Sequence, residues 1–247
     1  MRNIKITIEY DGKNFPGWQS QPNKVSIQTE IENAIFEVTG EKTEVIASGR
    51  TDAGVHALGQ VANFHTNTKI ETSKIPYAIN SKLPNSIVVK EAKEVDERFH
   101  SRYNCKLKTY RYIINNNEFP SALNRYREFH MPCKLDYEAM EKAIKYFEGE
   151  HDFKAFKSSG GNAKKTTVRT LPNCNIKKDD GRIYIELTGN GFLYNMVRII
   201  SGTILDVGLG KINADDIPKI IESGEREKAG RTLPPHGLYL VRVNYEE

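Results

Sequence analysis

Apolar and polar residues alternate from the start of the chain, and this pattern predicts the first elements of the fold. Residues 3–10 alternate strictly, as a half-buried strand does. An apolar stripe with helical spacing then runs from a Ser26 N-cap to a stop at Gly40 and predicts an amphipathic helix. The same patterns predict strands at 43–48 and 58–65, a helix at 72–82 and a strand at 86–94. The order of elements is therefore β-α-β-β-α-β.

The second half of the chain repeats this order with one added helix. Its predicted elements are a strand at 107–115, a helix from Asp136 to a stop at Gly149, strands at 166–178 and 182–189 around the turn KDDG, an apolar helix from Phe192, a shorter helix at 213–223 and a strand at 238–245. Two split βαβ units of this kind predict an α+β protein whose mainly antiparallel sheets are joined around a central cleft. We expect the domains to be 1–104 and 105–247.

Composition narrows the class of protein. With 247 residues, 38 % of them hydrophobic and 28 % charged, the chain is long enough for two domains with packed cores. It has no run of about 18 apolar residues and no export signal, so we expect a cytoplasmic protein without a membrane partner. Its three cysteines lie far apart, which argues against a zinc site or a disulfide framework. The net charge of +4 permits a nucleic-acid partner where the basic residues gather on one face.

Asp52 is the only acid in the stretch SGRTDAGVHA, residues 48–57. A surface turn has the same composition, since Asp and Gly form turns and an arginine such as Arg50 is ordinary beside them. A second observation favours chemistry. Arg198 interrupts a helix that is apolar almost all round, and Asp206 lies roughly 12 Å further along that helix, so the counter-charge of Arg198 must come from elsewhere. Asp52 is a candidate partner that Arg198 would keep ionised, and the alternative is that Arg198 extends to solvent.

Aromatic and basic residues point to RNA as a partner. Tyr110 and Tyr112 lie on one face of a predicted strand, either as core residues or as a platform for bases. Two basic clusters are either a track for phosphates or ordinary solvated surface. The first cluster is Arg98, Arg102, Lys106, Lys108 and Arg111, and the second is Lys154, Lys157, Lys164, Lys165 and Arg169.

Other chemistries fit the sequence poorly. The loop GGNAKKT lacks the spacing of a P-loop, GNG does not continue into GxGxxG, and the six histidines form no HxxxH pair. His56 and Cys105 have the chemistry of a base and a nucleophile, but nothing in the sequence brings them together. We therefore expect no nucleotide, nicotinamide or metal site.

Six blocks of the sequence resemble the tRNA pseudouridine synthase A family. They are YDGKNFPGWQSQ, SGRTDAGVHALGQVANF, FHSRYNCKLKTYRY, HDFKAF, NGFLYNMVRIISG and the closing GLYL, in the family's order along nearly the whole chain. The resemblance implies a two-lobed fold of RRM-like or ferredoxin-like units and a homodimer that clasps tRNA. It also implies conversion of uridine to pseudouridine at positions 38, 39 and 40 of the anticodon stem-loop.

The same resemblance implies roles for single residues. The catalytic aspartate falls on Asp52, its basic partner on Arg198 and the tyrosine that stacks on the base on Tyr110. Arg50 matches the arginine that helps evict the base, and the leucines of GLYL match the wall of the pocket. The implied reaction is an isomerisation with no net redox change and no high-energy donor, so no cofactor is expected. From their charge alone, Lys164 and Lys165 are expected to bind phosphate.

An alternative interpretation is a non-catalytic RNA-binding or RNA-folding protein built from tandem RRM-like units. Neither half carries an RNP1-like string, and such a protein would have no need of Asp52. Release of tritium from uridine labelled at C5 separates the two interpretations, since only a synthase exchanges that hydrogen.

Overall fold

A computed structural model describes residues 1–160 and 166–245 of the chain. The strands are β1 (Arg2–Tyr10), β2 (Ile46–Ala47), β3 (His56–Thr66), β4 (Ile87–Val95), β5 (Leu107–Asn115), β6 (Phe129–His130), β7 (Gly149–Asp152), β8 (Val168–Leu171), β9 (Asn173–Asp179), β10 (Arg182–Gly189) and β11 (Leu238–Asn244). The α-helices are α1 (Ile27–Thr39), α2 (Ile75–Asn80), α3 (Tyr137–Lys145), α4 (Met196–Gly208) and α5 (Ile217–Ser223). These elements confirm the predicted α+β class with mainly antiparallel strand pairing.

Contacts divide the chain into two units. The first unit is Met1–Lys106 together with Tyr239–Glu247, and the second unit is Leu107–Leu238. The strand β11, which the sequence analysis placed in the second domain, pairs with β3 of the first unit. The assignment of separate functional roles to domains 1–104 and 105–247 stays a prediction.

The first unit is a split βαβ sheet. Strand β1 lies between β4 and β3 and is antiparallel to both. Strand β2 pairs antiparallel with β3, and β11 pairs parallel with the start of β3. Helix α1 begins where the sequence predicts, because the Ser26 side chain accepts a hydrogen bond from the backbone N–H of Thr29 at 3.2 Å. It ends at Gly40, whose φ of 73° is the left-handed conformation that glycine adopts freely.

The second unit carries the antiparallel sheet β5–β10–β9, with β6 beside the end of β5. Asp180 and Gly181 both have positive φ, at 45° and 68°, and form the predicted turn between β9 and β10. The predicted single strand at 166–178 is wrong. Residue Pro172 separates β8 from β9, and β8 pairs with β7 in a sheet of two strands instead.

Helix α4 confirms the prediction of a buried helix but not its start. Every residue of α4 is buried except Arg198. The helix begins at Met196 rather than at Phe192, because Asn195 takes the left-handed conformation at φ 60° and interrupts the helical backbone.

The remaining helices are shorter than the sequence predicts. Helix α3 is capped at Tyr146 and does not continue to Gly149, which begins β7. The helices predicted at 72–82 and 213–223 each start as a 3-10 turn, and α2 and α5 follow with a proline in the first turn. Within residues 1–160 and 166–245, no helix is both long enough and apolar enough to cross a membrane.

Candidate active site

Asp52 lies in the loop between β2 and β3, and the start of this loop is fixed by Gln60. The Ser48 hydroxyl donates to Gln60 Oε1 at 2.7 Å, and Gln60 Nε2 donates to the carbonyl of Gly49 at 2.9 Å. Both side chains are buried. Because buried hydrogen bonds of this kind keep a loop in one conformation, the backbone just before Asp52 has little conformational freedom. After Asp52, the N–H of Val55 donates to the Asp52 carbonyl at 3.2 Å and closes a turn.

The segment from Tyr10 to Trp18 supports the other side of the loop. The Tyr10 hydroxyl and the Thr51 hydroxyl are 2.8 Å apart and share a hydrogen bond. The N–H of Trp18 donates to the Thr51 carbonyl at 3.0 Å, and Gly17 forms an antiparallel bridge with Asp52. Burial raises the pKa of Tyr10 above its ordinary value, so its hydroxyl stays protonated and available to Thr51.

Two glycines allow this close approach. A Cβ at Gly17 would lie 2.7 Å from the Thr51 carbonyl oxygen, and the φ of Gly17 is 114°, which side chains rarely adopt. A Cβ at Gly12 would overlap the carbonyl oxygen of Val55. The spacing of the two glycines in YDGKNFPGW is therefore set by the backbone of the Asp52 loop.

The two charged side chains of the loop differ in exposure. Asp52 is half-buried, whereas Arg50 is exposed. Within the part of the chain that the structure describes, the Arg50 guanidinium makes no ion pair or side-chain hydrogen bond. The loop therefore presents a cation to solvent next to a partly sheltered carboxylate.

His56 is engaged in local structure. Its Nδ1 accepts from the N–H of Gly12 at 3.1 Å and lies 3.2 Å from Asp11 Oδ1. Its ring stacks on Tyr239 of β11, with centroids 4.9 Å apart, and the residue is buried. These contacts fix the end of the Asp52 loop and account for the position of His56 without a catalytic role.

In the second unit, Arg198 lies in the first turn of α4 and is half-buried. Its Nε donates to the Leu233 carbonyl at 2.6 Å, and its Nη1 donates to Asn195 Oδ1 at 2.7 Å. Asn195 Nδ2 in turn donates to the Ser158 hydroxyl at 3.0 Å. Sequence analysis missed Asn195 and Leu233. The signal for Asn195 is the residue type, since asparagine tolerates the left-handed conformation and bonds locally.

The two tyrosines of β5 have different environments. Tyr112 is fully buried, its hydroxyl donates to the Pro234 carbonyl at 2.7 Å, and burial raises its pKa above the ordinary value despite the opposing charge of Arg198. It is a core residue. Tyr110 is 8 % exposed and packs edge-on against Phe192, with ring centroids 5.0 Å apart.

The basic residues are not equivalent. Arg111 is paired with Glu186, with Nε 2.6 Å from Oε1, and is thereby neutralised. Nη1 of Arg169 donates to the backbone carbonyls of Thr166 and Val168. Lys164 and Lys165 lie outside the described residues, as does the rest of 161–165.

The structure places Asp52 and Arg50 in the first unit, and Tyr110 and Arg198 in the second. The ion pair between Asp52 and Arg198 stays a prediction. Across residues 1–160 and 166–245, no three His, Cys, Asp or Glu side chains are grouped as metal ligands.

The relatives of this chain match it over almost its whole length. A family model described as tRNA pseudouridine synthase matches residues 6–104 and 143–246. The chain is 56 % identical over 245 residues to a protein of Acetivibrio thermocellus named tRNA pseudouridine synthase A, covering 99 % of this chain and 100 % of that one. A protein of the same name from Caldicellulosiruptor saccharolyticus is 54 % identical over the same shares. Among solved structures, a chain in the crystal structure of a Cbf5-Nop10-Gar1 complex matches with a TM-score of 0.34 at 14 % identity, over 81 % of this chain and 54 % of that one.

Proposed function

The chain belongs to the tRNA pseudouridine synthase family and isomerises uridine to pseudouridine in tRNA, and we propose that Asp52 is its catalytic residue. The observation that carries this proposal is the support of the Asp52 loop. Its backbone is bonded to Gly17 and Trp18 on one side and to Gln60 on the other. The backbone that carries the Asp52 side chain is thus positioned before substrate binds, as the support of a catalytic group needs to be.

The reaction needs one carboxylate. The bond between ribose C1′ and uracil N1 breaks, the base turns, and C1′ bonds to C5, while C5 loses a proton and N1 gains one. Glycosidases use two carboxyl groups because a sugar alkoxide leaves poorly without a proton. A uracil anion spreads its charge over two carbonyls and leaves without an acid. Asp52 either attacks C1′ or removes the C2′ proton to give a glycal, and both routes need its carboxylate ionised.

We assign supporting roles to three further residues. Arg198 stabilises the ionised form of Asp52, and its anchors on Leu233 and Asn195 would hold the guanidinium in one orientation. Tyr110 stacks on the uracil and retains the detached base. The exposed guanidinium of Arg50 fills the space that the target uridine leaves when it flips out of the RNA stack.

The variant Asp52→Asn tests the central assignment. The amide keeps the shape of the side chain but is neither nucleophile nor base, so we expect tritium release from [5-³H]uridine-labelled tRNA to be abolished while the Kd for tRNA stays within about twofold. Asp180→Asn is the matched control, because the Asp180 side chain is 95 % exposed in the β9–β10 turn. Turnover by Asp52→Asn at the rate of Asp180→Asn would refute the assignment.

We also propose the substrate position, the assembly and the compartment. The targets are uridines 38, 39 and 40 of the anticodon stem-loop, and the enzyme is a cytoplasmic homodimer. Transfer RNAs with uridine at only one of the three positions would each release tritium, and loss of all three uridines would abolish release.

Sedimentation tests the homodimer, for which the particle mass would be twice the 28.1 kDa of one chain. A monomer at micromolar concentration would contradict the dimer.

Lys164 and Lys165 are proposed to bind tRNA phosphates. Changing both to Ala would raise the Kd for tRNA. It would also reduce the slope of log Kd against log salt concentration by the contribution of about two phosphate contacts. The double variant of Lys177 and Lys178 is the matched control, since these are neighbouring exposed lysines on β9. Equal salt slopes in the two double variants would place Lys164 and Lys165 away from RNA.

The alternative of a non-catalytic RNA-binding protein is not favoured, because the chain belongs to an enzyme family.

A further inference from the structure

Residues 99–104 form a tightly closed turn after β4. The ring Nδ1 of His100 accepts from the backbone N–H groups of Arg102 and Tyr103, at 3.1 and 3.3 Å. The N–H of His100 donates to Asn104 Oδ1 at 2.7 Å, and the N–H of Asn104 donates to the His100 carbonyl at 3.0 Å. With hydrogen bonds from both the ring and the backbone of His100, the turn has essentially one conformation.

Buried side chains fix this turn to the sheet of the first unit. The N–H of Ser101 donates to Asn63 Oδ1 of β3 at 2.8 Å, and Asn3 Nδ2 of β1 donates to the Phe99 carbonyl at 2.9 Å. The Tyr245 hydroxyl donates to the Ser101 carbonyl at 2.8 Å. Asn3 and Asn63 are buried, so these bonds are shielded from competing water.

The outer side of the turn presents an aromatic ring and two cations. The Tyr103 ring packs against the His100 ring at a tilt of 34°, with centroids 4.1 Å apart, and the residue is 76 % exposed. Arg98 and Arg102 are exposed, and neither guanidinium makes an ion pair or a side-chain hydrogen bond to another residue within 1–160 and 166–245. What distinguishes Tyr103 from other exposed rings is that it lies on a rigid turn together with two exposed guanidinium groups.

We propose that the turn 99–104 is a second RNA-contacting site, in which an unpaired base of the tRNA stacks on Tyr103 while Arg98 and Arg102 neutralise the flanking phosphates. Rigid aromatic rings beside cations are the usual means of holding unpaired nucleotides. The inference rests on the proposed function, because the RNA it names is the tRNA substrate.

The site acts on binding rather than on chemistry. Asn63, which holds the turn, lies seven residues along β3 from His56, which ends the Asp52 loop, a distance of roughly 23 Å at the rise of an extended strand. The base that Tyr103 holds is therefore not the target uridine. Loss of this contact raises KM for tRNA and leaves kcat at saturating tRNA unchanged.

The experiment compares three variants of exposed tyrosines in the full-length protein. Tyr103→Ala should raise the Kd for tRNA by roughly 5- to 150-fold, the range for loss of one base–aromatic stack, with KM rising in parallel. Tyr103→Phe keeps the ring and should stay within about twofold of the wild type. Tyr77→Ala is the control, because Tyr77 is 79 % exposed on α2 of the same unit and should leave the Kd unchanged.

The outcomes separate this site from the active site. Wild-type Kd and KM in Tyr103→Ala would overturn the proposal, and so would equal losses in Tyr103→Ala and Tyr103→Phe, since only the ring is held to matter. A fall in kcat with unchanged KM would also overturn it. If instead the wild-type protein bound tRNA but released no tritium, the proposed function would fail while the binding comparison would still decide the role of Tyr103.

Discussion

Asn195 combines two properties that few residues share. Its backbone is in the left-handed conformation at φ 60°, and its side-chain amide both accepts from Arg198 and donates to Ser158. Asparagine meets both demands, because its short polar side chain tolerates this conformation and carries a donor and an acceptor. We regard Asn195 as a positioning residue for Arg198, one that does not itself touch the reacting atoms.

Asn195→Gly tests this positioning. Glycine keeps the left-handed backbone and removes the amide, so the fold should persist while the Arg198 guanidinium loses its bond to Asn195 Oδ1. We expect kcat for tritium release to fall about tenfold, the effect of losing roughly 1.4 kcal/mol of orientation, with the Kd for tRNA unchanged. A cation held less firmly stabilises a carboxylate less, so the acid limb of the kcat–pH profile should move to higher pH.

Ser158→Ala is the control for that variant. It removes the partner of Asn195 Nδ2 but leaves the bond from Arg198 Nη1 to Asn195 Oδ1 in place. Its turnover and pH profile should match the wild type. An unshifted acid limb in Asn195→Gly would mean that Asn195 supports only the fold.

At the scale of elements, the predictable parts of the fold are those set by local signals. Helix α1 carries a Ser26 cap and a Gly40 stop in its own sequence, and both ends are observed where predicted. The predicted start of α4 was wrong because Asn195 takes the left-handed conformation, which the apolar periodicity of the segment does not reveal. The break between β8 and β9 falls at Pro172, a local signal that the prediction of a single strand did not use, whereas the pairing of β8 with β7 is not visible in the periodicity.

The candidate site also has features that the sequence predicts and features that depend on contacts between distant segments. Asp52 attracts attention in the sequence as a lone acid, but its role in the prediction came from the family resemblance. The support of its loop by Gly17, Trp18 and Gln60 joins segments far apart in the chain, and no local pattern predicts such contacts. The anchoring of Arg198 by Leu233 spans 35 residues and is hidden for the same reason.

Replacing Gly17 by alanine tests the contact between the Tyr10–Trp18 segment and the Asp52 loop. Gly17→Ala would force a side chain at φ 114° and 2.7 Å from the Thr51 carbonyl, so the loop must move. We expect a loss of about 2–4 kcal/mol in the free energy of unfolding and a fall in turnover of more than tenfold. Denaturant unfolding and tritium release measure the two effects.

Gly40→Ala is the matched control. Gly40 also has a positive φ, at 73°, but among the described residues a Cβ there would meet no atom within 4 Å. It should lose only the conformational term of about 1–2 kcal/mol and keep wild-type turnover. If both variants lost activity equally, global stability rather than the shape of the Asp52 loop would set the rate.

At the scale of the whole molecule, the first unit is assembled from both ends of the chain. In the sequence, the residues of the second unit, Leu107–Leu238, separate the two segments of the first. The last segment pairs with the start of β3 at Tyr239 and Leu240, and the Asn244 carbonyl accepts from the N–H of Lys106 at 2.9 Å. The unit that holds Asp52 therefore needs the strand around Tyr239 and Leu240 as well as residues 1–106.

A chain ending at Leu238 tests this dependence. It lacks the Tyr239 ring that stacks on His56 directly after the Asp52 loop, and it lacks the strand beside the start of β3. We expect tritium release to be lost and backbone amides of residues 48–66 to lose protection in hydrogen exchange, while the β9–β10 hairpin of the second unit keeps its protection.

The control is the variant Tyr245→Phe of the 247-residue chain, which lacks one hydroxyl bonded to the Ser101 carbonyl. Its free energy of unfolding should fall by only about 1–3 kcal/mol, and it should stay active. Adding a peptide of residues 239–247 to the shortened chain should restore part of both signals, because the missing strand pairs through its backbone. Wild-type activity and protection in the shortened chain alone would show that the Asp52 loop is stable without the C-terminal strand.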